Sequence, residues 1–211
     1  MYTRKGVGLE TKIIHNIALR LTEMLNRHVG RTGLELTKTV FGMERFLINA
    51  SKLIILCTLS ALMGMLLQTV IIQLAFGLLR KNAFGLHALN STVCTLISCG
   101  LFVFVPRLLL GVGIGNWIVS VAFIPAILVL YIYAPADTKA RPLVGHKLRL
   151  KLKRQAVASG LLLFAATLLI PNEPIKLLLT LGAVYQCVSI LPLSYKILKR
   201  SERNYEMYEH A

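Results

Sequence analysis

Residues 53–79 read LIILCTLSALMGMLLQTVIIQLAFGLL, and no charged side chain interrupts them. As a single helix this stretch would be ~40 Å long, enough to cross a bilayer with some tilt. Four more apolar runs follow, at residues 91–105, 111–133, 155–170 and 175–195. The pattern predicts an all-α, polytopic helical membrane protein. We expect amphipathic N-terminal helices followed by about five to six transmembrane helices.

The composition excludes most other classes of protein. Of the 211 residues, 55% are hydrophobic and only 16% are charged, whereas soluble domains carry ~25% charged residues. A water-soluble enzyme, a disordered chain and a disulfide scaffold are therefore excluded. The net charge is +15, and its basic residues lie between the apolar runs. This placement favours a bilayer with anionic lipids as the partner and argues against nucleic acid.

We expect a single membrane-embedded domain over residues 1–211, made of four parts. Residues 1–52 have apolar positions at helical spacing, broken at Gly30 and Gly33, which predicts two amphipathic helices. The remaining parts are a transmembrane bundle at 53–195, a basic loop within it at 134–154, and a tail at 196–211.

The basic loop sets the orientation. Residues 134–154 hold seven Lys or Arg and one acid, so they should be cytoplasmic, together with residues 80–90 and the tail. If 53–79 crosses once, the N-terminal 52 residues lie outside, although they carry nine basic and four acidic residues. Either 53–79 turns back on itself, or 33–50 also crosses as a polar helix sheltered by other helices. We favour the second.

Candidate chemistry lies at the start of the second run, where His87 precedes Cys94 by seven residues. On one continuous helix this gap leaves ~10.5 Å of axial rise, whereas a base must approach a nucleophile within ~3 Å. A dyad therefore needs a break. Asn90 or Ser91 is a good N-cap, so we expect a helix to start there, with Cys94 in its first turn and Gly85 letting the preceding segment fold back. A helix N-terminus and an imidazolium both favour a thiolate.

Other interpretations stay open at this point. A cysteine is also a small apolar residue that packs well, and this is our expectation for Cys57, Cys99 and Cys187. No metal site or cofactor is expected. Lys176 is the only Asp, Glu, Arg, Lys or His inside the five runs, which disfavours an ion-coupled transporter. A small membrane transporter, a peptide-export channel and a non-catalytic membrane scaffold remain alternatives to an enzyme.

An ordered set of residues resembles the Arg…Ala-x-Gly-x-His-Ala…Cys pattern of the accessory gene regulator B family (AgrB). In this chain the set is Arg80, Ala83, Gly85, His87, Ala88 and Cys94. The residues 133–139, with the basic stretch after them, and Leu191-Pro192 are similar to that family as well. The resemblance extends from about residue 30 to 200. Many members carry a glycine where this chain has Phe84.

The resemblance implies a membrane cysteine endopeptidase of peptide quorum sensing, active at the cytoplasmic face of the cell membrane. Such an enzyme removes the C-terminal tail of a propeptide through a Cys acyl-enzyme and promotes thiolactone or lactone cyclisation to the autoinducing peptide. It implies that Cys94 is the nucleophile and His87 the base. Arg80, Lys81 and Gly85 are expected to bind the substrate. The family also implies a homodimer.

Overall fold

The computed structural model describes residues 9–30, 32–85, 91–109, 111–137 and 143–198, and the secondary structure in these ranges is helical. The helices are α1 (Leu9–Val29), α2 (Gly33–Leu62), α3 (Leu66–Ala83), α4 (Ser91–Cys99), a π-helical turn (Gly100–Phe104), α5 (Val105–Leu109), α6 (Asn116–Tyr133), α7 (His146–Leu169), α8 (Glu173–Ile190) and α9 (Pro192–Ile197). The all-α prediction is confirmed.

The chain divides into two compact units, residues 1–58 and 59–211. In the first unit, the predicted amphipathic helix is α1, and Gly30 and Gly33 both have left-handed backbones, with φ of 65° and 61°. Glycine adopts this conformation at little cost, so the chain turns between α1 and α2. The His15 imidazole and the largely buried Glu44 carboxylate join these two helices.

The run 53–79 does not form one helix, because it is broken at Gly64. The backbone of Gly64 has φ 66°, and the amides of Gly64 and Met65 bond to carbonyl groups in the last turn of α2. The polar stretch 33–50 forms the first part of α2 and continues without interruption into the apolar residues that follow it. Helix α2 is long and apolar enough to cross a membrane. A turn within 53–79 was the less favoured of the two alternatives, and the sequence did not locate it because Gly64 lies among strongly apolar residues.

The second unit packs around α3 and α8, with α6 and α7 against them. A glycine lets the two central helices approach closely. A Cβ on Gly182 would lie 2.7 Å from the Ala75 Cβ and 2.9 Å from the Ile72 carbonyl oxygen. Small residues at such contacts are the usual means of close helix packing in membranes. The stacked rings of Phe123 and Phe164 join α6 to α7.

Four helical stretches of the described chain are long and apolar enough to cross a membrane, which is fewer than the five to six expected. They are 33–62, 92–109, 116–133 and 146–169. Neither α3 nor α8 is among them, since both carry polar residues, and in α8 three of these, Lys176, Thr180 and Gln186, are buried. The chain is an all-α membrane protein whose most buried helices are also among its more polar ones.

The run expected to stop at Pro106 continues as a helix to Leu109. Proline has no amide hydrogen and cannot bond to the carbonyl four residues earlier, which here belongs to Phe102. The Thr69 hydroxyl of α3 donates to that Phe102 oxygen at 3.1 Å instead. The π-helical turn before Pro106 and this hydrogen bond explain why the proline does not end the helix.

The second half of the expected basic loop is also helical, because α7 begins at His146 and runs for 24 residues. Leu, Lys and Arg alternate over residues 147–154, and all three are good helix formers. The short span predicted at 155–170 is therefore the end of a longer helix. The last run ends at Ile190, where α8 stops, and Pro192 opens the short helix α9.

Candidate active site

Cys94 lies in the first turn of α4, as the capping residues predict. The helix begins at Ser91, and the Cys94 side chain is half-buried. Helix α3 has already ended at Ala83, and α4 is described from Ser91, so residues 83 and 94 belong to separate helices. His87 lies outside the described residues.

The segment that leads to His87 turns sharply. Phe84 has φ 57° and ψ −135°, and Gly85 has φ 122°. Both residues therefore have positive φ, a backbone conformation that residues other than glycine rarely adopt. The glycine that many family members carry at position 84 would adopt this backbone without strain. The chain keeps the turn although Phe84 has a side chain.

A short backbone pairing with the loop at 134–137 holds this turn. The Ala136 amide donates to the Ala83 carbonyl at 2.9 Å, and the Gly85 amide donates to the Ala136 carbonyl at 3.2 Å. Residues 133–139 resemble the family, but the sequence alone gives no structural reason for this resemblance. In the structure, Ala136 of this stretch pairs with the segment that precedes His87.

Gln186 of α8 holds the same turn from the other side. Its side chain is fully buried, and its Nε2 donates to the Phe84 carbonyl at 2.6 Å. The Ser189 hydroxyl lies 3.2 Å from the Gln186 Oε1. A Cβ on Gly85 would come within 2.7 Å of the Ser189 Oγ. Gly85 is therefore buried against α8 and does not face an open substrate surface.

Tyr195 of α9 fixes the loop at 134–137. The Tyr195 hydroxyl donates to the Asp137 carbonyl at 3.1 Å, and both residues are almost completely buried. We refer to Gln186, Tyr195 and the pairing of 83–85 with Ala136 as the loop clamp. Sequence reasoning missed Gln186 and Tyr195, although a glutamine inside an apolar run was an available signal.

Arg80 interacts electrostatically with Cys94, whereas Lys81 is exposed. Arg80 lies beyond the apolar part of α3, and its guanidinium carbon stands 5.2 Å from the centre of the Phe76 ring. Burial lowers the pKa of the Arg80 guanidinium, and the acidic groups of Cys94 and Tyr195 oppose this shift. A cation therefore lies within electrostatic range of the candidate nucleophile.

The other cysteines occupy packing positions. Cys99 and Cys187 are buried, and the Cys187 thiol lies 3.4 Å from the Ala126 carbonyl. Cys57 is half-buried in the first unit, and none of the four cysteines forms a disulfide. In the part of the chain that the structure describes, no three His, Cys, Asp or Glu side chains gather as metal ligands would.

Comparison with known proteins gives one consistent result. The family model of accessory gene regulator B matches residues 18–190. A putative AgrB-like protein of Clostridium acetobutylicum is 45% identical over 202 residues, which cover 96% of this chain and 97% of the relative. A putative AgrB-like protein of Listeria welshimeri is 44% identical over 82% of this chain and 84% of the relative.

A more distant relative carries the family name itself. Accessory gene regulator protein B of Staphylococcus aureus is 32% identical over 154 residues, or 73% of this chain and 80% of the relative. No solved structure matches the chain. The resemblance inferred from the ordered residues between Arg80 and Cys94 is thus confirmed over most of the sequence. The chain is a membrane protein that belongs to the accessory gene regulator B family.

Proposed function

We propose that this protein is a membrane cysteine endopeptidase of peptide quorum sensing. It removes the C-terminal tail of a propeptide and promotes closure of the remaining part into a ring. The observation that carries the proposal is the position of Cys94, half-buried in the first turn of α4 and in electrostatic interaction with Arg80. The loop clamp supports it, because it fixes the backbone two residues before His87.

The first step is acyl transfer to the enzyme. His87 takes the thiol proton of Cys94, and the thiolate attacks the carbonyl carbon of the scissile peptide bond. The bond between this carbon and the amide nitrogen breaks as the tetrahedral intermediate collapses. The protonated His87 gives its proton to the departing amine of the tail. The products are the free tail and a thioester between Cys94 and the new C-terminus of the propeptide.

The second step is ring closure. The propeptide's own thiol loses its proton to His87 and attacks the thioester carbonyl, which displaces the Cys94 thiolate. His87 then returns the proton to Cys94, and the peptide leaves as a thiolactone. Exchange of one thioester for another costs little free energy, so the unfavourable conversion of an amide into a thioester is confined to the first step. A serine hydroxyl in the propeptide would give a lactone by the same route.

Ring closure must compete with hydrolysis of the thioester, so water has to be kept away. The Cys94 side chain is half-buried, which limits the access of water. Arg80 interacts electrostatically with Cys94, and a guanidinium can bind a carboxylate through two hydrogen bonds. We infer that Arg80 receives an acidic group of the tail. Lys81 is exposed and should contribute less, since exposed ion pairs contribute only about 0–1 kcal/mol.

Co-expression of the chain with its propeptide tests the proposal. Cys94→Ala and His87→Ala should each abolish cleavage, read by gel and mass spectrometry and normalised to the amount of inserted protein. Cys99→Ala is the matched control, because Cys99 lies on the same helix and is buried; it should retain cleavage. Cleavage that survives Cys94→Ala would remove the proposed nucleophile. Loss of intact propeptide from the cells without any cleavage product would favour an export channel.

A further inference from the structure

A groove of about 370 Å³ lies between the end of α6, the start of α7 and the beginning of α9. Cys94 is not among its lining residues. The basic side chains at its edge are His146, Arg149 and Lys153, all from α7. These positions are three and four residues apart, so they share one face of the helix. The groove therefore presents a row of basic groups near the expected cytoplasmic surface.

The same groove has an apolar wall that is open to the outside. Ile132 at the end of α6 is 53% exposed, and Leu150 on α7 is 41% exposed. The Lys153 ammonium stands 4.8 Å from the centre of the Tyr131 ring, which is itself largely exposed on α6. Tyrosine and lysine side chains at a helix end are typical of the membrane interface. A ligand that fits this surface has an anionic part and an apolar part.

The charged groups of the groove are held in place. The Arg149 guanidinium donates to the Leu143 carbonyl at 3.2 Å, which fixes it at the start of α7. The acid among the lining residues is Asp137, and it is almost completely buried beside Tyr195. Arg149 and Lys153 together outweigh this one carboxylate, so the groove keeps a positive charge.

We propose that this groove binds an anionic phospholipid. Arg149 and Lys153 receive the headgroup phosphate, and an acyl chain lies along Ile132 and Leu150. Basic pockets between transmembrane helices on the cytoplasmic side are the usual sites for such headgroups. An acidic peptide segment would also match the cations, but it would leave the exposed apolar wall without a partner. The wall therefore favours a lipid.

Native mass spectrometry of the purified full chain in detergent tests the site. The probes are phosphatidylglycerol and phosphatidylcholine with identical acyl chains. The unchanged protein should retain phosphatidylglycerol in preference to phosphatidylcholine. The double variant Arg149→Gln/Lys153→Gln should weaken phosphatidylglycerol binding by roughly tenfold or more, since each basic residue near an anionic headgroup contributes several-fold.

The matched control is Lys147→Gln/Lys151→Gln, which removes the same charge from the same helix. These lysines are exposed and do not line the groove, so phosphatidylglycerol binding should change by less than about twofold if the site is local. Equal loss in both double variants would overturn the proposal, because it would indicate general attraction by a basic helix. Equal retention of the two lipids by the unchanged protein would also overturn it. So would displacement of phosphatidylglycerol by an acidic peptide but not by a second anionic lipid.

Discussion

The two ends of α8 use buried polar side chains in different ways. Near its start, the Lys176 ammonium donates to the Asn116 amide oxygen of α6 at 2.5 Å, so one side chain pairs with another. Near its end, the fully buried Gln186 donates to the backbone of Phe84. The first contact joins two helices, whereas the second holds a strained turn beside the candidate site. We therefore expect the polar group at the start of α8 to act mainly on stability and the one at its end to act on function.

The largest expected effect comes from removing the Gln186 amide. Gln186→Met conserves volume but leaves the buried Phe84 carbonyl without this donor, which costs about 1–3 kcal/mol. If that cost displaces the turn before His87, cleavage per inserted molecule should fall by roughly tenfold. The measurement is propeptide cleavage in membranes with equal amounts of inserted protein.

The other end of α8 supplies the control for this comparison. Lys176→Met removes the partner of the Asn116 amide, so it should lower the thermal stability of the purified protein. Cleavage per folded molecule should not change. If Lys176→Met lowers cleavage as much as Gln186→Met does, the two ends of α8 do not differ in function and the proposed difference between them is wrong.

An intermediate effect is expected for Gly85→Ala. The new Cβ would lie 2.7 Å from the Ser189 Oγ, and φ 122° is unfavourable for alanine in any surroundings. The turn must therefore shift, and cleavage should fall several-fold. The double variant Gly85→Ala/Ser189→Ala removes the clash but keeps the backbone strain, so we expect partial recovery. Full activity of Gly85→Ala alone would show that the position of this turn does not matter.

The smallest effect on cleavage is expected at Phe84, and whether cleavage is retained or falls depends on the substitution. A left-handed backbone costs an L-residue about 1–2 kcal/mol, so Phe84→Gly relieves strain while it loses a half-buried ring. The two terms oppose each other, and we expect cleavage to be retained. Phe84→Val keeps the strain and adds a β-branch, so cleavage and thermal stability should both fall. Lower cleavage and thermal stability in Phe84→Gly than in Phe84→Val would contradict the observed turn.

The sequence predicted the helix class and the start of α4, because these depend on local apolar runs and capping residues. It did not predict where the long first run divides, since Gly64 gives no signal among apolar neighbours. It also took the basic residues 146–154 for a loop, because charge was given more weight than helix propensity.

The loop clamp was beyond the reach of sequence patterns. Gln186 and Phe84 are 102 residues apart, and nothing local to either residue indicates their contact. Tyr195 and Asp137 are 58 residues apart. Only tertiary packing identifies the residues that hold the backbone of Phe84 and Gly85 after the end of α3.

The most direct test of the proposed chemistry is capture of the acyl-enzyme. A propeptide whose ring-closing residue is replaced by alanine cannot cyclise, so the thioester should accumulate when it is incubated with the purified protein. We expect the intact mass of the protein to rise by that of the truncated propeptide less one water, with the adduct on Cys94 and released by hydroxylamine. The adduct should be absent from Cys94→Ala and present in Cys99→Ala. Cleavage of the propeptide without any such adduct, or an adduct on another residue, would contradict Cys94 as the nucleophile.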